Sequence, residues 1–211
     1  MSITQYNGGT ILAMAGKNCV VIGSDKRLGV QNLTVSTEFQ KIFPVTEKCY
    51  IGLPGLASDV QTLSELFRLK VNMYKLREER EIEPLTLANM ISSTLYGRRF
   101  GPYFCEPIVA GLDKNNKPHI YGMDLIGCLN FPDDFTVAGC AEEALFGMCE
   151  SLWEPDLEPD DLFETASQAL LSAADRNSMV GWGAVIHTIT PDRVITRTLK
   201  TRMVIYYISY I

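Results

Sequence analysis

Tyr6-Asn7-Gly8-Gly9-Thr10-Ile11-Leu12-Ala13-Met14 leads through a Gly16-Lys17-Asn18 turn into Cys19-Val20-Val21-Ile22-Gly23-Ser24-Asp25. A glycine pair, a β-rich run, a short turn and a second β-rich run read as a hairpin. Downstream, Lys41-Ile42-Phe43-Pro44-Val45 and Cys49-Tyr50-Ile51-Gly52-Leu53 predict two more short strands before Pro54-Gly55 breaks the pattern. From Asp59, read as an N-cap, apolar residues recur at Val60, Leu63, Phe67, Val71, Tyr74 and Leu76. That spacing predicts one face of a long helix ending in the charged run Arg77-Glu78-Glu79-Arg80. A second helix follows Pro84, with Leu87, Ala88, Ile91 and Leu95 on one side, and ends near Gly97.

The period then changes. Pro107–Leu112 and His119–Met123 read as strands across an Asp-Lys-Asn-Asn-Lys turn, and shorter strands are predicted at Gly127–Asn130 and Phe135–Ala138. Helical spacing returns with Ala144, Leu145, Met148 and Leu152, and again after Pro159 with Leu162, Ala166, Ala169, Leu170 and Ala173. The chain closes on strands at Gly183–Ile189 and Arg193–Thr196. Strands in hairpin runs and helices in pairs, each with one apolar face, fit an α+β fold. In it two antiparallel sheets stack face to face with a helix pair on each outer side. No linker or repeat interrupts the pattern, so a single domain over 1–203 is expected. Residues 204–211, Val-Ile-Tyr-Tyr-Ile-Ser-Tyr-Ile, read as an apolar C-terminal extension of strong β propensity.

The totals narrow the function classes. A globule of 211 residues buries roughly 70–75% of its unfolded surface and needs no disulfide or metal to fold. The net charge of −6 argues against nucleic acid or an acidic membrane as partner, because phosphate binding requires a basic surface. Met-Ser-Ile-Thr-Gln-Tyr has neither the basic nor the apolar region of a signal peptide, so a reducing compartment is expected. The six cysteines (Cys19, Cys49, Cys105, Cys128, Cys140, Cys149) lack Cys-x-x-Cys spacing and lie away from His119 and His187. They read as small buried hydrophobes, with no metal and no cofactor expected. No apolar run is long enough for a membrane span.

Several longer segments carry a resemblance. They are Asn7-Gly8-Gly9, Gln40–Phe43, Arg98-Arg99-Phe100-Gly101-Pro102-Tyr103, Asp124–Cys128, Phe146–Leu152, Glu158–Glu164 and Gly181-Trp182-Gly183. From about Tyr6 to Arg202 the chain resembles the β-type subunits of the 20S proteasome, and within them the third, non-catalytic class. The resemblance implies the four-layer αββα sandwich of the N-terminal-nucleophile hydrolases. It also implies a heptameric β ring, paired with a second and stacked between α rings, with other β-type and α-type subunits as partners. The complex it implies works in cytoplasm and nucleus, degrading proteins of the ubiquitin-proteasome pathway.

In active members of that family a threonine freed as the N-terminus supplies both nucleophile and, through its amine, base. An aspartate follows about sixteen residues on and a lysine about sixteen further. Asp25 and Lys41 keep the second interval, and counting back places Gly9 at the nucleophile position, or Gly8 if the hairpin turn carries one extra residue. Neither has a hydroxyl. The aspartate and serine that steady the terminal amine align with Asn177 and Val180, neither of which can do so. The resemblance therefore implies a structural subunit without catalytic residues. Asp25, Arg27 and Lys41 are then read as a partly buried ion pair held for packing, and Gly55 as the match to the oxyanion-hole glycine. The Arg98-Arg99 pair reads as a solvated helix end, and the Arg98–Tyr103 loop suits a subunit interface. The alternative is a threonine-type endopeptidase released by cleavage before Thr10. Against it, Thr10 stands one residue too close to Asp25, and a one-residue slip in a strand turns the side chain to the opposite face.

Overall fold

The computed structural model describes residues 2–201; the expected extension at 204–211 lies outside the described residues. After a 3-10 turn at Ile3–Gln5, the chain forms β1 (Thr10–Gly16), β2 (Cys19–Asp25), β3 (Leu28–Val30), β4 (Leu33–Ser36), β5 (Ile42–Thr46) and β6 (Cys49–Gly52). Helices α1 (Ala57–Glu78) and α2 (Pro84–Tyr96) follow, then β7 (Ile108–Leu112), β8 (Pro118–Met123), β9 (Leu129–Asn130) and β10 (Phe135–Gly139). Helices α3 (Glu142–Leu152) and α4 (Pro159–Ala174) precede β11 (Ala184–Ile189) and β12 (Val194–Leu199).

One five-stranded sheet has the order β10-β1-β2-β11-β12, the other β5-β6-β7-β8-β9, and every pairing is antiparallel. The period-two geometry of β1 and β2 sorts their side chains into two cores. Ile11, Ala13, Val20 and Ile22 meet Ile42, Ile108, Ala110 and Ile120 between the sheets. Leu12, Met14 and Val21 pack under α3 and α4 with Leu145, Leu162, Ala166 and Leu170. A third core joins Leu63, Phe67, Leu87 and Ile91 of α1 and α2 to Ile51, Val109 and Tyr121 of the second sheet. The layers are therefore α3/α4, sheet, sheet, α1/α2, the αββα sandwich. Both α2 and α4 open on proline at the first turn, Pro84 and Pro159, where the missing N–H costs nothing.

Two readings of helix α1 need correction, and one hairpin went unread. Asp59 is not the N-cap of α1: Leu56 holds that position in extended conformation, and Asp59 lies inside the first turn. Its carboxylate instead accepts the Phe104 amide at 2.8 Å. Leu76 does not belong to the buried face, being 83% exposed, although Val60, Leu63, Phe67 and Val71 do. The β3–β4 hairpin was not anticipated. Its strands have three and four residues, too short for their periodicity to stand out, and Gln31 turns between them at φ 55°.

Candidate functional site

Asp25 ends β2 and Lys41 stands immediately before β5, so the ends of the two sheets bring them together. Both are buried, and Lys41 Nζ lies 3.0 Å from Asp25 Oδ1. The ammonium also donates to the carbonyls of Asp25 (3.0 Å) and Arg27 (2.8 Å). The Asp25 carboxylate accepts the Thr10 amide at 2.9 Å on Oδ1, and the amides of Arg27 and Gly181 at 3.2 Å on Oδ2. Burial pushes the Lys41 ammonium below the ordinary lysine value, and the carboxylate beside it pulls the other way. Arg27 is buried too, its guanidinium donating to Thr34 Oγ1, the Met179 carbonyl and the Gln31 carbonyl. It thereby pins the β3–β4 hairpin to the segment before β11.

At the head of β1 two glycines take left-handed backbone angles, Gly8 at φ 75° and Gly9 at φ 95°. A Cβ on Gly8 would fall 2.2 Å from the Met179 carbonyl oxygen; one on Gly9 would fall 2.5 Å from Lys41 Cε. Gly9 is thus the position whose side-chain direction faces Lys41. Thr10 is fully buried, and its hydroxyl donates to the Ala138 carbonyl at 3.1 Å. By the alternation of the strand it shares a face with Leu12 and Met14, which lie under the helices, and not with Ile11 between the sheets.

The remaining sequence-predicted positions surround this group without adding an acid or a hydroxyl. Asn177 Nδ2 donates to the Cys140 carbonyl (2.8 Å), and its Oδ1 accepts the Met179 amide (2.9 Å). Val180 packs into the core under α4. Gly55 has φ 134° and bridges Cys105, with a would-be Cβ only 2.1 Å from the Phe104 carbonyl oxygen. Away from the group, Arg99 stacks on the ring of the exposed Phe100 at 5.4 Å, while Tyr103 folds back onto the α1/α2 core.

Two features escaped sequence reasoning. Cys140, immediately after β10, lies near Asp25, Lys41 and Arg27, and burial pushes its thiol up to about 11. It is therefore neutral near pH 7 and a poor nucleophile. Asn7 is the more consequential feature. Its carbonyl accepts the Gly29 amide (3.1 Å), its Nδ2 donates to the Gly29 carbonyl (2.8 Å), and its Oδ1 accepts the Ala57 amide (2.9 Å). Asn7 so satisfies an orphan donor at the first turn of α1, the service a local N-cap side chain performs elsewhere. With the Gln31 amide bound to the Tyr6 carbonyl at 2.9 Å, residues 6–9 form a strap laced across the front of the sandwich. An asparagine before two glycines was the only signal.

Beside the N-terminal 3-10 turn, Thr4, Gln5, Pro54, Gly55, Glu106, Gly139 and Glu142 line a cavity of about 110 Å³. Burial raises the pKa of Glu106 above the ordinary glutamate value, and the charge of Glu142 adds to this. A carboxylate with a raised native pKa contributes its full stability below about pH 4.5 and loses it as pH rises through the native value. Glu106→Gln removes that loss. The variant is expected to melt about 1–3 °C above wild type at pH 7.5, a modest gain because the group is only partly buried. At pH 4 the two should melt together. Thermal melts at the two pH values decide it, and a variant that melts below wild type at pH 7.5 overturns the assignment.

The geometry can be set beside known proteins. Residues 5–189 match the model of the family described as proteasome subunit. The chain is 60% identical over 202 residues to the probable proteasome subunit beta type-3 of Schizosaccharomyces pombe, covering 96% of this chain and 99% of that one. It is 58% identical over 200 residues to the proteasome subunit beta type-3 of Saccharomyces cerevisiae, covering 94% and 97%. To the Drosophila melanogaster beta type-3 subunit it is 52% identical over 204 residues, covering 96% and 100%.

Proposed function

Since the chain belongs to the proteasome subunit family, we propose that it is a non-catalytic, structural β subunit of the 20S core particle. It occupies a place in the heptameric β ring, between β-type neighbours and beneath an α-type ring. There it takes part in degrading intracellular proteins of the ubiquitin pathway in cytoplasm and nucleus, and 1–203 is its one domain. The observation that carries the reading is Gly9. The position whose side chain would face Lys41 has none, so the site lacks the hydroxyl an acyl-transfer mechanism attacks with. Gly8, Gly9, Asp25, Lys41, Asn177 and Val180 are then the degenerate counterparts of a catalytic set. Asp25 and Lys41 persist because each would leave the other as a buried, unpaired charge.

The strap supports the same reading. A peptidase released by cleavage before Thr10 would first have to surrender the contacts of Asn7 with Gly29 and Ala57. Its new terminus would then present the Thr10 hydroxyl to the Ala138 carbonyl, away from Lys41.

The test is the intact mass and N-terminal sequence of the chain purified from its native assembly. The expected result is a chain beginning at Met1 or Ser2, at one copy per β ring. A chain beginning at Thr10 would overturn the non-catalytic reading, and absence from the particle would overturn the structural one.

A further inference from the structure

Ser24, Lys26, Phe39, Ile42, Val185 and His187 line a cavity of about 230 Å³ at one flank of the sandwich. Across the β2–β11 pairing Ser24 stands opposite Val185, and Ile22 opposite His187. Ile22 belongs to the core between the sheets. Strand alternation therefore turns Ser24, Val185 and His187 into that same layer. From the other side comes Ile42, at the start of β5, the edge strand of the second sheet. The cavity lies where the inter-sheet core runs out beside that edge.

Two polar groups there have hydrogen-bonding capacity left over. Ser24 is only 4% exposed, and its hydroxyl makes no hydrogen bond among the described residues. A buried hydroxyl without a partner is costly, and native structures seldom leave one so. Lys26 donates to Glu38 Oε1 at 2.6 Å, and two of its three N–H groups are unused among the described residues. Its side chain is 17% exposed and that of Glu38 74%, so the carboxylate is the partner free to move. The lysine stem is held against Gly183, where a Cβ would stand 3.3 Å from Lys26 Cδ. The other lining groups are engaged. Asp25 and Lys41 neutralise each other, and Gln40 Nε2 donates to the Ile42 carbonyl at 2.8 Å. His187 is tied through Nδ1 to Thr196 Oγ1 at 2.9 Å and lies 5.1 Å from the Tyr50 ring. Burial lowers its pKa, so it is neutral near pH 7 and adds no charge. Lys26 is thus the cation that the cavity offers.

We propose that this cavity binds a small carboxylate with a compact apolar body. The ligand's oxygens accept from the Ser24 hydroxyl and the Lys26 ammonium, and its apolar part lies on Phe39, Ile42 and Val185. Glu38 swings out to solvent and gives up the ammonium. A cationic ligand would meet Lys26, and a phosphate would turn its remaining oxygens unpaired toward apolar walls. The cavity is smaller than the roughly 300 Å³ at which drug-sized pockets begin, which limits the ligand to a few carbons. The site does not depend on the chain's place in a larger assembly, and its failure would leave that reading untouched.

The probe is butyrate, titrated calorimetrically into the full-length chain while amide chemical shifts are followed by NMR. Butyrate is expected to bind and to move the amides of Ser24, Lys26 and Val185. Butyramide, similar in shape but uncharged, and inorganic phosphate should bind at least about tenfold more weakly. Lys26→Met keeps the apolar stem and should abolish binding; Ser24→Ala should weaken it about tenfold, the loss of one hydrogen bond to a charged group. Glu38→Gln changes an exposed residue, so the chain should fold. It is expected to bind butyrate about two- to fivefold more tightly, because no exposed ion pair has to break first. A purely structural Lys26–Glu38 pair would not produce that gain. Wild type that does not bind butyrate overturns the site, as do equal binding of butyramide or phosphate and shifts confined to another face. Glu38→Gln binding no more tightly than wild type overturns it as well.

Discussion

Asp25→Ala should cost the fold about 3–5 kcal/mol, the penalty for stranding a buried charge. The carboxylate is the hub of four contacts: the ammonium of Lys41 and the amides of Thr10, Arg27 and Gly181. Alanine leaves all four donors facing a space water fills poorly. Three of them belong to the starts or ends of separate segments, so the loss loosens β1, the β2–β3 junction and the approach to β11 together. For a chain of this size the change lowers the thermal midpoint by about 6–20 °C. Lys41→Met in the same chain should recover part of the loss, because it removes the unpaired ammonium and keeps its apolar stem. Urea unfolding of the single and double variants is the measurement. A single variant that loses less than about 1 kcal/mol would mean that solvent or a neighbouring group replaces the carboxylate, and the structural role assigned to the pair would fall.

The same residues mark how far the sequence alone could go. The layer order was legible because each helix pair and each hairpin carries its own period, and only one arrangement buries every apolar face. The facing of Gly9 and Thr10 was legible too, since a strand alternates strictly and Asp25 and Lys41 supplied a count. What escaped was tertiary. Asp59 has the composition of an N-cap, but the segment at Phe104 takes its carboxylate, and the capping service comes from Asn7, fifty residues away in sequence. Leu76 fits an apolar helical series, yet it falls on the opposite side of α1 from Val71 and faces water. A period of 3.6 identifies a helix; it does not say which of two apolar faces the fold will use. The β3–β4 hairpin depends on Arg27, whose guanidinium reaches from the end of β2 to Gln31, Thr34 and Met179. No local pattern announces a contact with a residue 152 positions away.

The second large effect is expected at Gly9. Gly9→Thr places a hydroxyl in the direction of Lys41, which looks like the repair of a missing nucleophile, but it should destabilise the chain by about 2–6 kcal/mol and yield no peptidase. Two costs add. The backbone at φ 95° is strained for any residue with a Cβ, and more so for a β-branched one, by about 1–3 kcal/mol. The new Cβ would start 2.5 Å from Lys41 Cε, so the lysine must move from its three oxygen partners or the strand must shift, at about 1–3 kcal/mol for overpacking. The chemistry fails separately. While the peptide bond between Gly8 and residue 9 stands, the nitrogen of residue 9 is an amide donating to the Met179 carbonyl, and an amide cannot take the hydroxyl proton as a terminal amine does. Gly9→Ala isolates the steric share and should account for most of the loss. Urea midpoints for both variants, with peptide cleavage assayed on the same preparations, decide the matter. If Gly9→Thr folds as stably as wild type, residue 9 has more room than a 2.5 Å approach to Lys41 allows and a backbone other than φ 95°. If it also cleaves peptides, the surrounding group is a working site that lacks only its hydroxyl.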